Sequence, residues 1–206
     1  MMIKDLGPRV EKVWKGLRPM TKNMLVGALR SGSNPSENTA PAKFSYDTHA
    51  DWELSRLLSA LDEQAGARTS KRSLKNKAEI DRLAEMCANV LESQSGAAEV
   101  FIQLATRAIN RNDYRKLDEL SNRLTSQYSA AEIAEIVRQT ELPQIRAIAA
   151  ETLTMLPIEY LAALLEDPLY SEIAANALEQ LAYEYDSEDA REVLDTYVGT
   201  EYIRGD

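Results

Sequence analysis

The sequence predicts an all-α protein in which antiparallel helical hairpins stack side by side, preceded by an amphipathic N-terminal arm. Segments with the same residue pattern recur at intervals of about 28 and 29 residues between residues 117 and 197, as expected of a helical array. The apolar residues of each segment are spaced to lie on one side of a helix. No segment alternates apolar and polar residues with β-branched enrichment, which is the pattern typical of strands.

Residues 1–30 form the predicted arm. They contain seven Lys or Arg residues and two acidic residues, a net charge of +5. Val10, Val13, Trp14 and Leu17 share one helical face, with basic residues around the others. Pro19 is expected to end this helix or to begin the next one, because proline is tolerated only in the first turn.

Residues 31–49 are rich in Ser, Asn and Pro and poor in apolar residues. This composition predicts a flexible linker. A helical, repeat-like domain is expected over residues 50–206, with Asp51 as the N-cap of its first helix. The basic run at residues 68–77 contains no aromatic residue that could stack on bases, and is interpreted as a solvated loop.

Three helical pairs make up the predicted array. In their first helices a small residue stands between two apolar ones, four positions from each, as in Ile145, Ala149 and Leu153 and in Ile173, Ala177 and Leu181. Leu117, Ser121 and Leu124 form a looser copy before them. The second helices begin near Ile133, Leu161 and Ala190. A single hairpin cannot cover its own apolar stripe, so neighbouring hairpins are expected to stack. An irregular bundle with coincidental spacings stays open as the alternative.

The segment Leu142–Leu153 resembles the first helix of a HEAT-like repeat, with its β-branched residue, Arg146, small pair and Leu153. Asp167-Pro168 stands where that family often carries Asp-Pro between units, whereas Ala174 replaces the Arg of the family pattern in the next unit. The resemblance covers about residues 117–197. It implies an α-α superhelix and, since most proteins of this family are scaffolds, a partner-binding role.

Composition and charge narrow the function further. The chain has 206 residues and a net charge of −9, and residues 179–206 alone carry −7. Such an acidic surface repels phosphate, so no nucleic-acid partner is expected. A single cysteine excludes an intrachain disulfide framework and fits a reducing compartment. With no apolar run near 18 residues and no secretory pattern, a cytoplasmic location is expected.

The sequence contains no recognisable catalytic or cofactor motif. His49, the one histidine, lies in a polar segment and is interpreted as a surface residue. Cys87 falls on an apolar stripe and is expected to pack as a small hydrophobic residue. No glycine-rich phosphate loop, metal-ligand spacing or nucleophile motif is present, so no cofactor, metal or catalytic residue is predicted. An enzyme with an unfamiliar site remains an alternative.

The predicted function is therefore a non-enzymatic scaffold that holds a basic or helical segment of a partner protein. The residues expected to face that partner are Glu135, Arg138, Gln139, Tyr160, Glu166, Glu192 and Asp195. The arm has its own candidates for contact with a partner or an anionic membrane surface: Lys12, Trp14, Lys15, Leu17 and Arg18. Docking of the arm on the protein's own helices, a membrane tether, and self-association through the arm stay open as alternatives.

Overall fold

The computed structural model describes residues 6–31, 46–66 and 74–204, and all regular structure in these ranges is helical. The predicted all-α class is confirmed. In chain order the helices are α1 (Pro8–Gly16), α2 (Pro19–Ser31), α3 (Thr48–Gly66), α4 (Leu74–Gln94), α5 (Ala98–Asn110), α6 (Tyr114–Gln127), α7 (Ala130–Gln139), α8 (Pro143–Thr154), α9 (Ile158–Leu165), α10 (Ser171–Tyr183) and α11 (Glu188–Arg204).

The chain divides into two compact units, unit 1 (Met1–Ser95) and unit 2 (Gly96–Asp206). The predicted arm belongs to unit 1, in which α1 contacts α3, and α2 contacts both α3 and α4. Most of the predicted linker lies outside the described residues, although α3 already begins within it at Thr48. The basic run from residue 68 also lies largely outside them.

Unit 1 is held together by the packing of α3 against α4. The apolar residues Leu54, Leu57, Leu58 and Leu61 lie at helical spacing in α3 and are buried, as are Ile80, Leu83, Cys87 and Leu91 of α4. From the N-terminal helices, Val10, Leu17 and Leu25 complete this core. Burial of these side chains removes apolar surface from water and is the main stabilising contribution of the unit.

The start of α1 requires a glycine. Gly7 has a φ of 115°, in the region that L-residues with a side chain rarely adopt, and a Cβ there would meet the Gln64 side chain at 2.7 Å. Pro8 occupies the first helical position, where its missing N–H costs nothing. Pro19 is likewise the first residue of α2. Of the two predictions for this residue, that it ends one helix or begins the next, the second is confirmed.

The prediction that Asp51 caps α3 is wrong, because Asp47 caps it. The Asp47 Oδ1 accepts a hydrogen bond from the backbone N–H of Ala50 at 2.9 Å. Helix α3 begins at Thr48, so Asp51 lies inside its first turn and accepts a hydrogen bond from the Tyr46 hydroxyl. The polar residues before Asp51 gave no sequence signal for this extra turn of helix.

Unit 2 is arranged in two layers of alternate helices. One layer contains α6, α8 and α10, since α8 contacts both of the others. The second contains α5, α7, α9 and α11, each of which contacts the next. Consecutive helices pack across the layers, most extensively α7 against α8 and α10 against both α9 and α11. The core between the layers includes Leu124, Ile133, Ile145, Leu153 and Leu161.

The turns of unit 2 follow from their polar residues. Asn112 has a positive φ of 56°, which asparagine tolerates, and Asp113 then caps α6 by accepting a hydrogen bond from the N–H of Lys116 at 3.0 Å. Ser187 is the N-cap of α11, and its Oγ accepts from the N–H of Ala190 at 3.3 Å.

In α10 the buried side differs from the predicted stripe. Ala177 is buried, but Ile173 and Leu181 are only half-buried. The fully buried positions lie one residue further along, at Ala174, Leu178 and Ala182. Helix α10 contacts α7, α8, α9 and α11, and small alanine side chains allow several neighbouring helices to approach closely.

None of the helices in the described ranges is both long and apolar enough to cross a membrane alone. Only α8 and α9 taken together reach that length and composition, with a bend of 112° between them.

Candidate functional site

The candidates on the N-terminal helices divide into exposed and packed residues. Lys12 and Lys15 are exposed, and the Lys15 ammonium pairs with Glu11 at 2.7 Å. Trp14 is half-buried, whereas Leu17 is buried in unit 1. The apolar side of α1 therefore packs on the protein itself, which was one of the alternatives left open by the sequence.

Arg18 lies at the centre of a hydrogen-bonded cluster between the α1–α2 junction and the start of α3. Its guanidinium donates two hydrogen bonds to the Asp47 carboxylate, at 2.7 and 2.9 Å, and one to Glu53 at 3.1 Å. The Arg18 backbone N–H donates a further hydrogen bond to Glu53 at 2.8 Å, and the Thr21 hydroxyl donates to the same carboxylate. These contacts give Arg18 a structural role.

Electrostatics keeps this cluster ionised at neutral pH. The hydrogen bonds from Arg18 lower the pKa of Asp47 to about 2. Burial of Glu53 raises its pKa, but the hydrogen bonds from Thr21 and Arg18 together outweigh burial and lower it. In return, the hydrogen bonds to Asp47 and Glu53 raise the pKa of Arg18. A hydrogen bond to the charged form favours that form.

The candidates on α7 form a second cluster, in unit 2. The Arg138 guanidinium donates to the Glu135 carboxylate, with 2.7 Å between Nε and Oε2, and the Gln139 amide donates to the same group. The hydrogen bond from Arg138 is the main reason that the pKa of Glu135 is lowered to about 2. Tyr170, next to α10, also forms a hydrogen bond with Glu135. The pKa of Tyr170 is raised, chiefly by burial and secondly by this hydrogen bond. The cluster links α7 to the start of α10.

The remaining unit 2 candidates are exposed on the layer that contains α7, α9 and α11. Tyr160 is 54% exposed near the start of α9, and Glu166 is exposed at its end. Glu192 and Asp195 are exposed on α11. The structure thus brings Glu135, Arg138 and Gln139 into direct contact, and places the other four on neighbouring helices.

Tyr160 is one of several large side chains that are strongly exposed in unit 2. Among the described residues, seven large apolar or aromatic side chains are strongly exposed, and five of them lie between residues 155 and 185. Tyr183 is 77% exposed at the end of α10, and Tyr185 is 60% exposed just after it. Met155 is exposed at the end of α8. Of these exposed residues, only Tyr160 is among the site residues predicted from the sequence.

These side chains stand among carboxylates. Residues 147–190 contain ten acidic residues and no Lys or Arg. We call the following set the acidic tyrosine surface: Met155, Glu159, Tyr160, Tyr183, Glu184, Tyr185, Asp186, Glu188 and Asp189, all of which are exposed. Arg191, which follows this set in the chain, pairs with Asp186 and donates a hydrogen bond to the Ala182 carbonyl at 2.7 Å.

The structure also describes the two residues His49 and Cys87. His49 is exposed in the first turn of α3, and Cys87 is fully buried on α4, as the sequence predicted for both. Within the described part of the chain, no three His, Cys, Asp or Glu side chains are placed to hold a metal ion.

Comparisons with known proteins found no matching family model, no similar curated protein and no similar solved structure.

Proposed function

We propose that this protein is an interaction module in which unit 2 is a HEAT-like array of α-α repeats, and that its acidic tyrosine surface holds a basic segment of a partner protein. The observation that carries the proposal is the concentration of exposed tyrosines and carboxylates on one part of unit 2. Exposed apolar side chains grouped in this way are typical of protein-binding surfaces.

The contacts within unit 2 support the repeat architecture. In an array of hairpins, each first helix contacts the first helix of the next hairpin, and each second helix does the same. The contacts of α8 with α6 and α10, and of α9 with α7 and α11, follow that rule. Equivalent positions of successive repeats, such as Ile133 and Leu161 or Ala149 and Ala177, are buried.

The same contacts support placing the two halves of the acidic tyrosine surface close together. Helix α8 contacts α10, and α9 contacts α11. We infer that the α8–α9 connection, with Met155 and Tyr160, lies on the same edge of the stack as the α10–α11 connection, with Tyr183 and Tyr185. A partner segment lying along this edge would contact both connections.

The chemistry of this edge favours a partner segment that contains both basic and apolar residues. Lys and Arg side chains would pair with the carboxylates, and their cationic groups would lie on tyrosine rings. Tyrosines bury a large apolar area at low cost in side-chain entropy and often anchor interfaces. Met155 adapts its shape to different apolar side chains. Pairing of opposite charges predicts fast association that salt weakens.

The proposal is tested by titrating the isotope-labelled chain with an amphipathic 18-residue peptide of Lys and Leu while recording NMR spectra. We expect amide shifts to concentrate at residues 155–160 and 183–189. Tyr183→Ser should weaken binding by about tenfold, the cost of losing an interface anchor. Tyr114→Ser is the matched control, because Tyr114 is similarly exposed in unit 2 but stands beside Arg115 and Lys116. Equal weakening by both variants, or shifts spread over the whole unit, would refute the proposal.

A further inference from the structure

We propose that unit 1 contains a binding site for a small organic anion, with a carboxylate or phosphate group attached to an apolar or aromatic body. The site is a cavity of about 490 Å³ between α1 and α3. Its volume falls within the range of ligand-binding pockets in proteins, about 300–1,000 Å³. This site is distinct from the acidic tyrosine surface and does not depend on it.

The charges that line the cavity favour an anion. Arg9 and Lys12 reach it from α1, and Arg56 from α3. Arg9 pairs with Glu63, and both side chains are largely exposed. In the described part of the chain, neither Lys12 nor Arg56 has a carboxylate partner. Two cations from different helices thus line one concave site, and neither is paired with a carboxylate of the described residues.

Two basic residues close to the cavity differ from Lys12 and Arg56, because they pair with carboxylates. Lys15, one turn from Lys12 on α1, pairs with Glu11. Arg18, at the end of the same segment, is bonded to Asp47 and Glu53. Lys15 and Arg18, which do not line the cavity, thus each pair with a carboxylate. Among the described residues, Lys12 and Arg56, which line it, have no carboxylate partner.

One carboxylate, Glu53, also lines the cavity, but its oxygens are already occupied. Glu53 is 5% exposed, and it accepts hydrogen bonds from Arg18 and from the Thr21 hydroxyl. Arg18 therefore offsets its charge locally, and the lining as a whole stays positive with three cations to one carboxylate.

The rest of the lining is apolar and aromatic. Val13 and the buried Leu17 contribute aliphatic surface from α1 and the residue after it. Trp52 is 59% exposed, which is unusual for so large an aromatic side chain. The Arg56 guanidinium lies 4.4 Å from the centre of the Trp52 ring. An anion paired with Arg56 would thus lie beside an indole against which its apolar body could pack.

The test uses phenyl phosphate as the probe and measures binding to the full chain by calorimetry at low salt. Inorganic phosphate supplies the charge alone, and phenol the ring alone. We expect phenyl phosphate to bind more tightly than either, and to change the fluorescence of Trp52 in a Trp14→Phe background. Lys12→Gln and Arg56→Gln should each weaken binding by about tenfold, the effect of losing one charge-assisted hydrogen bond.

Lys15→Gln is the matched control, since Lys15 is an exposed cation of the same helix that does not line the cavity. It should leave binding unchanged. Equal effects of the Lys12 and Lys15 substitutions, or equal affinity for inorganic and phenyl phosphate, would overturn the proposal. So would a lack of phenyl phosphate binding together with dimerisation that Arg56→Gln abolishes, because the groove would then hold an acidic segment of a second copy.

Discussion

Glu53 and Arg18 are 35 positions apart in the chain, yet the Glu53 carboxylate accepts hydrogen bonds from both the backbone N–H and the guanidinium of Arg18. The bond to the backbone gives a hydrogen-bond acceptor to the Arg18 N–H, which lies at the junction between α1 and α2. The side-chain bond brings the Arg18 charge against α3, where Asp47 also holds it. This pair fixes the N-terminal helices on the core of unit 1.

Removing the Glu53 carboxylate should therefore loosen unit 1. Glu53→Ala leaves the Arg18 N–H and the Thr21 hydroxyl without their acceptor, at a cost of about 2 kcal/mol. Hydrogen exchange of the full chain, followed by mass spectrometry, should show faster exchange in α1, α2 and α3. Glu63→Ala, which breaks only the exposed pair with Arg9, should have little effect. Equal exchange in the two variants would contradict this role for Glu53.

The Glu135 carboxyl should titrate far below an ordinary glutamate. Hydrogen bonds from Arg138, first of all, lower its pKa to about 2 in the folded chain, whereas an unperturbed glutamate has a pKa of about 4.3. Because the folded pKa is the lower one, the resulting stabilisation is complete above the unfolded pKa. It is lost as the pH falls from about 4.3 towards 2.

Side-chain carbon NMR of the full chain measures this pKa directly. In Arg138→Gln the Glu135 pKa should rise towards its ordinary value, while Arg115→Gln, a change on α6, should leave it in place. A Glu135 pKa near 4.3 in the unmodified chain would show that the α7 cluster does not form in solution.

Glu132 should stabilise a helix other than its own. Ser129 caps α7 by accepting from the Glu132 N–H at 3.2 Å. The Glu132 carboxylate instead accepts from the N–H of Ala98 at 2.7 Å, at the start of α5. Glu132→Ala should destabilise unit 2 by about 1 kcal/mol, as loss of a helix cap does. Thermal unfolding of the full chain can detect this change.

Glu99→Ala provides the comparison for that measurement. Glu99 is an exposed acid in the first turn of α5, so this variant removes a charge near the same helix end without removing the cap. If Glu99→Ala costs as much as Glu132→Ala, the hydrogen bond to Ala98 is not what stabilises α5.

Much of the fold could be predicted from local sequence. Apolar residues at helical spacing predicted the buried sides of α3, α4 and α7, and Ser187 and Asn112-Asp113 marked a cap and a turn, because these signals act over a few residues. The side of α10 that is buried could not be predicted in this way. Alanine and leucine occur on several of its sides, so packing against four neighbouring helices decides which side is buried.

The candidate sites were harder to predict, because their residues meet only through tertiary packing. Arg18 looked like an exposed residue of a basic arm, since its partners Asp47 and Glu53 are 29 and 35 positions away. Lys12 and Arg56 line the same cavity although they too are far apart in the chain. Tyr183 and Tyr185 follow the same rule, because whether they lie near Met155 depends on how the hairpins stack.

The central claim, that the acidic tyrosine surface binds a basic segment of a partner, is tested most directly by site-specific photocrosslinking in a lysate of the cells that contain the protein. The photoreactive residue p-benzoylphenylalanine would replace Tyr160, Tyr183 or, as the control, Tyr114. We expect positions 160 and 183 to crosslink to the same partner protein at a segment rich in Lys and Arg, with a yield that falls as salt is raised, and position 114 to give no such product. No product from either surface position, or the same product from position 114, would contradict the account.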